Sequence, residues 1–172
     1  MTRACLQQSA VSDLPFMVFV RPADFDGVDA VRLTGEYHAE LRQRFPSGYD
    51  PARGLSAAAD DLRAPSGIFV IAWDDSTPVG CGGLKTIDPT TGEIKSMFVT
   101  PTHRQRGVGA AILEVLEQSG HSMGFERVVL DTSEYLPEAI ALYRRNGFFE
   151  IDPYNANDYA TNWFEKRLRL AH

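Results

Sequence analysis

Two glycines stand where a protein backbone could hold a phosphate group. Gly107 and Gly109 follow residues 104–106 and open an apolar helical pattern. Glycine lets a ligand approach the backbone closely, and the unpaired N–H groups of a first helical turn attract anions. The spacing therefore predicts a pyrophosphate site, to which Val108 and Ala110 would also contribute. The alternative is a helix start that needs small residues only for packing.

The strands and helices around Gly107 and Gly109 must position this phosphate site. Residues 93–99 and 127–131 each predict a strand, because they are short runs with apolar and β-branched side chains. Between them, apolar residues recur at helical spacing, and Gly120 is a candidate end of that helix. A strand, a crossover helix and another strand predict a parallel pair. A further helix is predicted over 137–146.

Two motifs in this order resemble those of the GNAT acyltransferases, the Gcn5-related N-acetyltransferases. Arg104, Gly107 and Gly109 fit the family's signature for the cofactor pyrophosphate. The second signature is present as Ala139-Ile140-Ala141-Leu142-Tyr143-Arg144-Arg145-Asn146-Gly147-Phe148. The resemblance extends more loosely over most of the chain.

The resemblance implies an α/β (α+β) fold of the GNAT type. Its central sheet would be mixed and mostly antiparallel, with about six to seven strands, a splayed parallel pair and helices on both faces. Residues 1–15 are expected to be a flexible lead-in, and 16–172 a single domain. Further strands are predicted at 16–21, 67–72, 78–87, 150–154 and 161–168. A first helix is predicted at 27–44 and a short one at 56–62.

The resemblance also implies acetyl coenzyme A (acetyl-CoA) as co-substrate, without a metal. The pantetheine arm would lie in the opening between the parallel strands, against the end of the first. Ser133 or backbone would replace an Asn or Gln that many members use for pantetheine. The implied cofactor-binding residues are Met97, Phe98, Val99, Arg104, Gln105, Arg106, Gly107, Val108, Gly109, Ala110 and Ser133.

Two proton transfers are needed when an ammonium group is acylated: one from the ammonium and one to the departing thiolate. The resemblance assigns the first to Glu93, directly or through water, on a strand face shared with Lys95, Met97 and Val99. The alternative is a salt-bridged glutamate without a catalytic role. Tyr143 would protonate the thiolate, and its alternative is a packing aromatic.

The acceptor is expected to be a primary amine, on a small molecule or on a peptide or protein. By resemblance its pocket forms between the first helix, the following loop and the strand pair. The candidate lining residues are Glu36, Tyr37, Phe45, Tyr49 and Tyr154. The sequence does not choose among a small amine, an amino acid, an antibiotic and a protein amine.

Composition bounds these expectations. The 172 residues carry a net charge of −6, with 44% hydrophobic residues. Basic residues are spread along the chain, which argues against a nucleic-acid partner, and no apolar run could span a membrane. The two cysteines, Cys5 and Cys81, lack the spacing of a metal site. A cytoplasmic protein, with a homodimer as one option, is the expectation.

Three interpretations stay open. The paired motifs favour an acetyl-CoA-dependent N-acetyltransferase. A non-catalytic CoA-binding or sensing domain would keep the glycines but would not need Glu93 and Tyr143. A nucleotide-binding enzyme of another class is disfavoured, because the glycines lack the remaining residues of the phosphate-loop and dinucleotide motifs.

Overall fold

The computed structural model describes residues 16–168; the predicted lead-in at 1–15, with Cys5, lies outside the described residues. The strands are β1 (Val18–Pro22), β2 (Gly67–Asp74), β3 (Thr77–Asp88), β4 (Thr91–Val99), β5 (Arg127–Thr132), β6 (Phe149–Ile151) and β7 (Asn162–Arg167). The α-helices are α1 (Val28–Arg44), α2 (Val108–Ser122) and α3 (Pro137–Arg145).

The strands form one sheet in the order β1-β2-β3-β4-β5-β7-β6. Only β4 and β5 are parallel among these neighbours, and every other pair is antiparallel. The crossover from β4 to β5 runs through α2, because parallel neighbours need a long connection, which is usually a helix. The predicted mixed, mostly antiparallel sheet with one parallel pair is confirmed.

Helices cover both faces of the sheet, and each face has its own core. One cluster packs α2 and α3 against the strands, with Ile112, Leu116, Leu130 and Phe164 almost fully buried. The opposite cluster packs α1 through Leu33 against β2 and β3. Burying such side chains stabilises the fold by roughly 1.5–3 kcal/mol each. We call these the α2 face and the α1 face.

Some predicted boundaries differ from the structure. Helix α2 continues past Gly120 to Ser122, because Gly120 is a buried packing position: an added Cβ would lie 3.0 Å from Leu168 Cδ1. The chain turns instead at Gly124, which has φ +86°. The short helix predicted at 56–62 is a 3-10 turn over Ala59–Leu62.

Candidate functional site

The parallel pair separates soon after it begins. Its register covers only Thr91↔Arg127, Gly92↔Val128 and Glu93↔Val129. Beyond Glu93, β4 therefore has no β5 partner, and a cleft opens between the carboxyl ends of the two strands. Ligands of sheets that contain parallel strands commonly bind at this end.

A β-bulge in β4 lies beside the cleft. Ser96 has φ +56°, and the β3–β4 register shifts between Cys81 and Gly83. The extra residue interrupts the alternation of side chains. Met97 consequently packs on the α2 face. The prediction that Glu93 and Lys95 share a strand face with Met97 and Val99 is therefore wrong, because both residues beyond the bulge are reversed.

Two cavities adjoin the cleft, and the larger of these two, about 740 Å³, lies between the end of β4, the start of α2 and α3. Most of the predicted cofactor-binding residues line it: Met97, Phe98, Val99, Arg104, Gln105, Gly107, Val108, Gly109 and Ala110. Arg106 and Ser133 do not line it. Arg106 lies over the Phe16 ring, with its guanidinium carbon 3.7 Å from the ring centroid. The buried Ser133 lines the smaller cavity described below.

The two motif glycines have different roles in the fold. Gly107 is the N-cap of α2, with φ +82°, and no side chain caps the helix. The N–H groups of the first turn of α2 are therefore available to an anion in the larger cavity. Gly109 is a packing position, because an added Cβ would lie 2.9 Å from Leu142 Cδ2 of α3.

Arg104 joins two elements at the rim of the larger cavity. Its Nε donates to the Val99 carbonyl oxygen at 3.0 Å, and its Nη2 donates to Glu40 Oε2 at 2.5 Å. The side chain thus ties the end of β4 to α1. Nearby, His103 Nε2 is 3.0 Å from Asp74 Oδ2.

A smaller cavity, about 100 Å³, lies on the α1 side of the cleft. Three predicted acceptor residues, Tyr37, Phe45 and Tyr49, line it. Glu36 and Tyr154 line neither cavity. Glu36 instead pairs with Arg32 on α1, with side-chain exposure of 40%. The lining also includes side chains that sequence analysis did not select: His38, Lys95, Asp131, Asn157 and Tyr159.

The two cavities meet at a common wall. Its members line both cavities, and they are Tyr37, Met97, Leu136, Ala139 and Tyr143. Tyr37 comes from α1 and Tyr143 from α3. Burial raises the pKa of both phenols above the ordinary value, so each carries its proton at neutral pH.

A buried charge cluster forms the floor of the smaller cavity. Lys95 Nζ pairs with Glu93 Oε1 and is 3.6 Å from Asp131 Oδ2. The three side chains are only 7–10% exposed. Glu93 lines neither cavity, and Lys95 and Asp131 both line the smaller one. Burial lowers the pKa of Lys95, and the Asp131 carboxylate opposes that shift.

The sequence held a usable signal for Lys95 and Asp131. The register pairs Glu93 with Val129, so Lys95 and Asp131 are the next residues on the same face. They lie opposite one another where the strands part, and their charges bridge the gap. Asp131 is also the next-to-last residue of the apolar strand β5, at the carboxyl edge of the parallel pair, where ligands bind.

Residues 16–168 contain neither a membrane-spanning helix nor a cluster of metal-binding side chains. None of their helices is both long and apolar enough to cross a bilayer. Nor do these residues contain a cluster of three His, Cys, Asp or Glu side chains that could hold a metal ion.

Comparisons with known proteins agree with the fold and the motifs. A model of the acetyltransferase (GNAT) family matches residues 34–148. The uncharacterized N-acetyltransferase YsnE of Bacillus subtilis is 32% identical over 133 residues, which cover 76% of this chain and 85% of that protein. An IAA acetyltransferase of Azospirillum brasilense is 38% identical over 127 residues, with coverage of 72% and 79%.

The fold is also that of solved acetyltransferases. The PaiA N-acetyltransferase of Thermoplasma acidophilum, whose crystal structure contains coenzyme A, superposes with a TM-score of 0.67. The superposition covers 88% of this chain and 99% of that chain, at 16% sequence identity. At this level of identity the similarity supports the fold.

Proposed function

The chain belongs to the GNAT acetyltransferase family, and from this membership we propose that it transfers an acetyl group from acetyl-CoA to a primary amine. Transfer is direct, with donor and acceptor bound at the same time. The observation that carries this proposal is the common wall between the two cavities. A donor in the larger cavity and an acceptor in the smaller one would meet at this wall, which satisfies the proximity that such a reaction needs.

The larger cavity suits coenzyme A in two respects. The N–H groups of the first turn of α2 would receive the pyrophosphate, because the N-cap Gly107 leaves them uncapped and the helix dipole favours an anion. The main chain of β4 beyond Glu93 lacks a partner strand on the β5 side. Its N–H and C=O groups could pair with the amide groups of the pantetheine arm, as an added strand would.

Two residues would move the protons. The acceptor ammonium first loses one proton, and the neutral amine attacks the thioester carbonyl carbon. As the C–S bond breaks, the nitrogen loses a second proton to solvent, and the departing thiolate takes one. Tyr143 would supply that proton from the common wall. Glu93 would receive the proton from the acceptor; because it lies behind Lys95, the route passes through the lysine ammonium or a water molecule.

Thiol release from acetyl-CoA across a panel of primary amines tests the proposal. We expect release that depends on the amine and saturates with it, and one acetyl group on the product by mass spectrometry. A second measurement, calorimetric titration with CoA, separates the outcomes. Tight CoA binding without amine-dependent release would identify a non-catalytic CoA-binding domain. Absence of both would refute the assignment of the larger cavity to CoA.

A further inference from the structure

The charges beneath the smaller cavity do not balance. Two carboxylates, Glu93 and Asp131, share the single ammonium of Lys95, and all three side chains are at least nine-tenths buried. The cluster therefore carries one excess negative charge in its charged form. An uncompensated charge in a protein interior is costly, and a bound cation would remove that cost.

Asp131 is the member of the cluster that can meet such a cation. Asn155 Nδ2 donates to its Oδ2 at 2.7 Å, and Asn157 Nδ2 donates to its Oδ1 at 2.9 Å. These two neutral amides orient the carboxylate without cancelling its charge. A carboxylate offers about four lone-pair sites, so Asp131 keeps capacity for a further donor. It also lines the cavity, whereas Glu93 lies behind Lys95.

The walls of the cavity favour the same ligand charge. Tyr49 and Tyr159 are neighbours, with ring centroids 4.8 Å apart, and Phe45 stacks on Tyr49 at 6.0 Å. Aromatic faces attract cations. His38 adds no positive charge at neutral pH, because burial lowers its pKa and the charge of Arg42 lowers it further. Among the described residues, Lys95 is the one other cationic side chain that lines this cavity, and its charge is already shared by two carboxylates.

We propose that Asp131 binds the ammonium group of the acceptor, and that the acceptor is an amine with no carboxylate beside its amino group. This inference rests on the proposed function, because it takes the smaller cavity as the acceptor site. An α-amino acid would bring a carboxylate against the excess negative charge of the floor. A simple alkyl or arylalkyl amine brings only the cation that the floor lacks. Asp131 is thus a specificity-determining residue for the class of acceptor.

Matched ligands test the inference without turnover. Butylamine and norvaline differ by one carboxylate, as do phenethylamine and phenylalanine. In calorimetric titrations of the CoA-loaded protein, we expect each amine to bind at least about 10-fold more tightly than its amino acid, the scale of a charged hydrogen bond. Equal or tighter binding of the amino acids would overturn the inference, as would failure of both amines to bind while CoA still binds.

Variants then locate the interaction. Asp131→Asn should raise the dissociation constant of butylamine about 10-fold to 10²-fold and leave CoA affinity within about 2-fold. Asp131→Glu should recover part of the loss. Asp158→Asn is the matched control, because Asp158 lies on the same loop as Asn157 with a side chain 65% exposed and paired with Arg53. Equal effects of the Asp131 and Asp158 substitutions on butylamine binding would show that only long-range charge matters, and would refute the inference.

Turnover measurements distinguish a failure of this inference from a failure of the proposed function. Acetylation of norvaline in preference to butylamine would refute the role of Asp131 and leave the acetyltransferase assignment intact. Amine binding that depends on Asp131, without thiol release, would do the reverse. If Asp131→Asn does not fold, the comparison of matched ligands on the parent protein still tests whether the site prefers amines to amino acids.

Discussion

Tyr143→Phe removes one hydroxyl from the wall between the two cavities and leaves the ring in place. Tyr143 is 5% exposed, and its ring centroid lies 5.7 Å from that of Phe148 and 6.1 Å from that of Phe164. Phenylalanine keeps these contacts. No side chain or backbone group among residues 16–168 is hydrogen-bonded to the Tyr143 hydroxyl, so we expect the free energy of unfolding to change by less than about 1 kcal/mol.

The effect on turnover should be much larger. A positioned general acid contributes about 10²-fold to 10⁴-fold. Burial raises the pKa of Tyr143 above the ordinary value of about 10. The shift makes Tyr143 a weaker acid toward the departing thiolate, because an ordinary thiol has a pKa of about 8.5. We therefore expect the lower part of the range, about 10-fold to 10³-fold in kcat. The KM for acetyl-CoA should stay within about 3-fold, because the hydroxyl acts chiefly as sulfur leaves.

The assay is thiol release as a function of pH, with the unfolding midpoint as a check on folding. Because the raised pKa keeps Tyr143 protonated through pH 9, its loss should lower the whole profile without moving either limb. Tyr37→Phe is the informative comparison, since Tyr37 is the other phenol in the wall. Full activity of the Tyr143 variant would refute the role. A large fall in kcat for Tyr37→Phe alone would transfer the role to Tyr37.

Three further substitutions test the remaining parts of the site. Ala110→Glu should weaken CoA binding at least about 10-fold in calorimetry, because its carboxylate would compete for the N–H groups of the first turn, whereas the equally large Ala110→Gln should weaken it less. Glu93→Gln should lower turnover about 10²-fold and remove the acidic limb of the pH–rate profile; persistence of that limb would assign the base elsewhere. Gly107→Ala should lower the free energy of unfolding by about 1 kcal/mol in denaturant titration, because φ is +82° there. The control Gly35→Ala, at an open position inside α1, should raise the free energy of unfolding by about 0.5–1 kcal/mol. A stabilising Gly107→Ala would contradict the left-handed cap.

Local patterns were enough to predict most of the fold. The spacing of apolar residues in α2 and the Pro137 and Gly147 boundaries of α3 depend on nearby sequence only, and both helices form where predicted. Gly120 was misjudged because a glycine that ends a helix and one that lets another side chain pack closely look alike in sequence. The contact that distinguishes them comes from Leu168, 48 residues away in the chain, which no local pattern contains.

The predicted cofactor side of the site depends on a contiguous motif, and the structure brings nine of its predicted residues together in one cavity. The acceptor side is assembled from α1, the loop after it, β4, β5 and the loop before β7. The sequence therefore predicted Tyr37, Phe45 and Tyr49 from the first two elements, but from the loop before β7 it predicted Tyr154 and missed Asn157 and Tyr159. Their position depends on the fold of the last third of the chain over the end of β5.

The bulge at Ser96 connects these two sides. Without it, strict alternation would put Met97 on the same face as Lys95. With it, Lys95 stays over the smaller cavity, and Met97 reaches both cavities from the α2 face. Because the β4–β5 ladder has already ended at Glu93, the contact that spans the gap is the ion pair of Lys95 and Asp131. In the proposed reaction, the same few residues of β4 would leave backbone free for the donor and hold charge for the acceptor, so a shift of one residue at Ser96 would disrupt both at once.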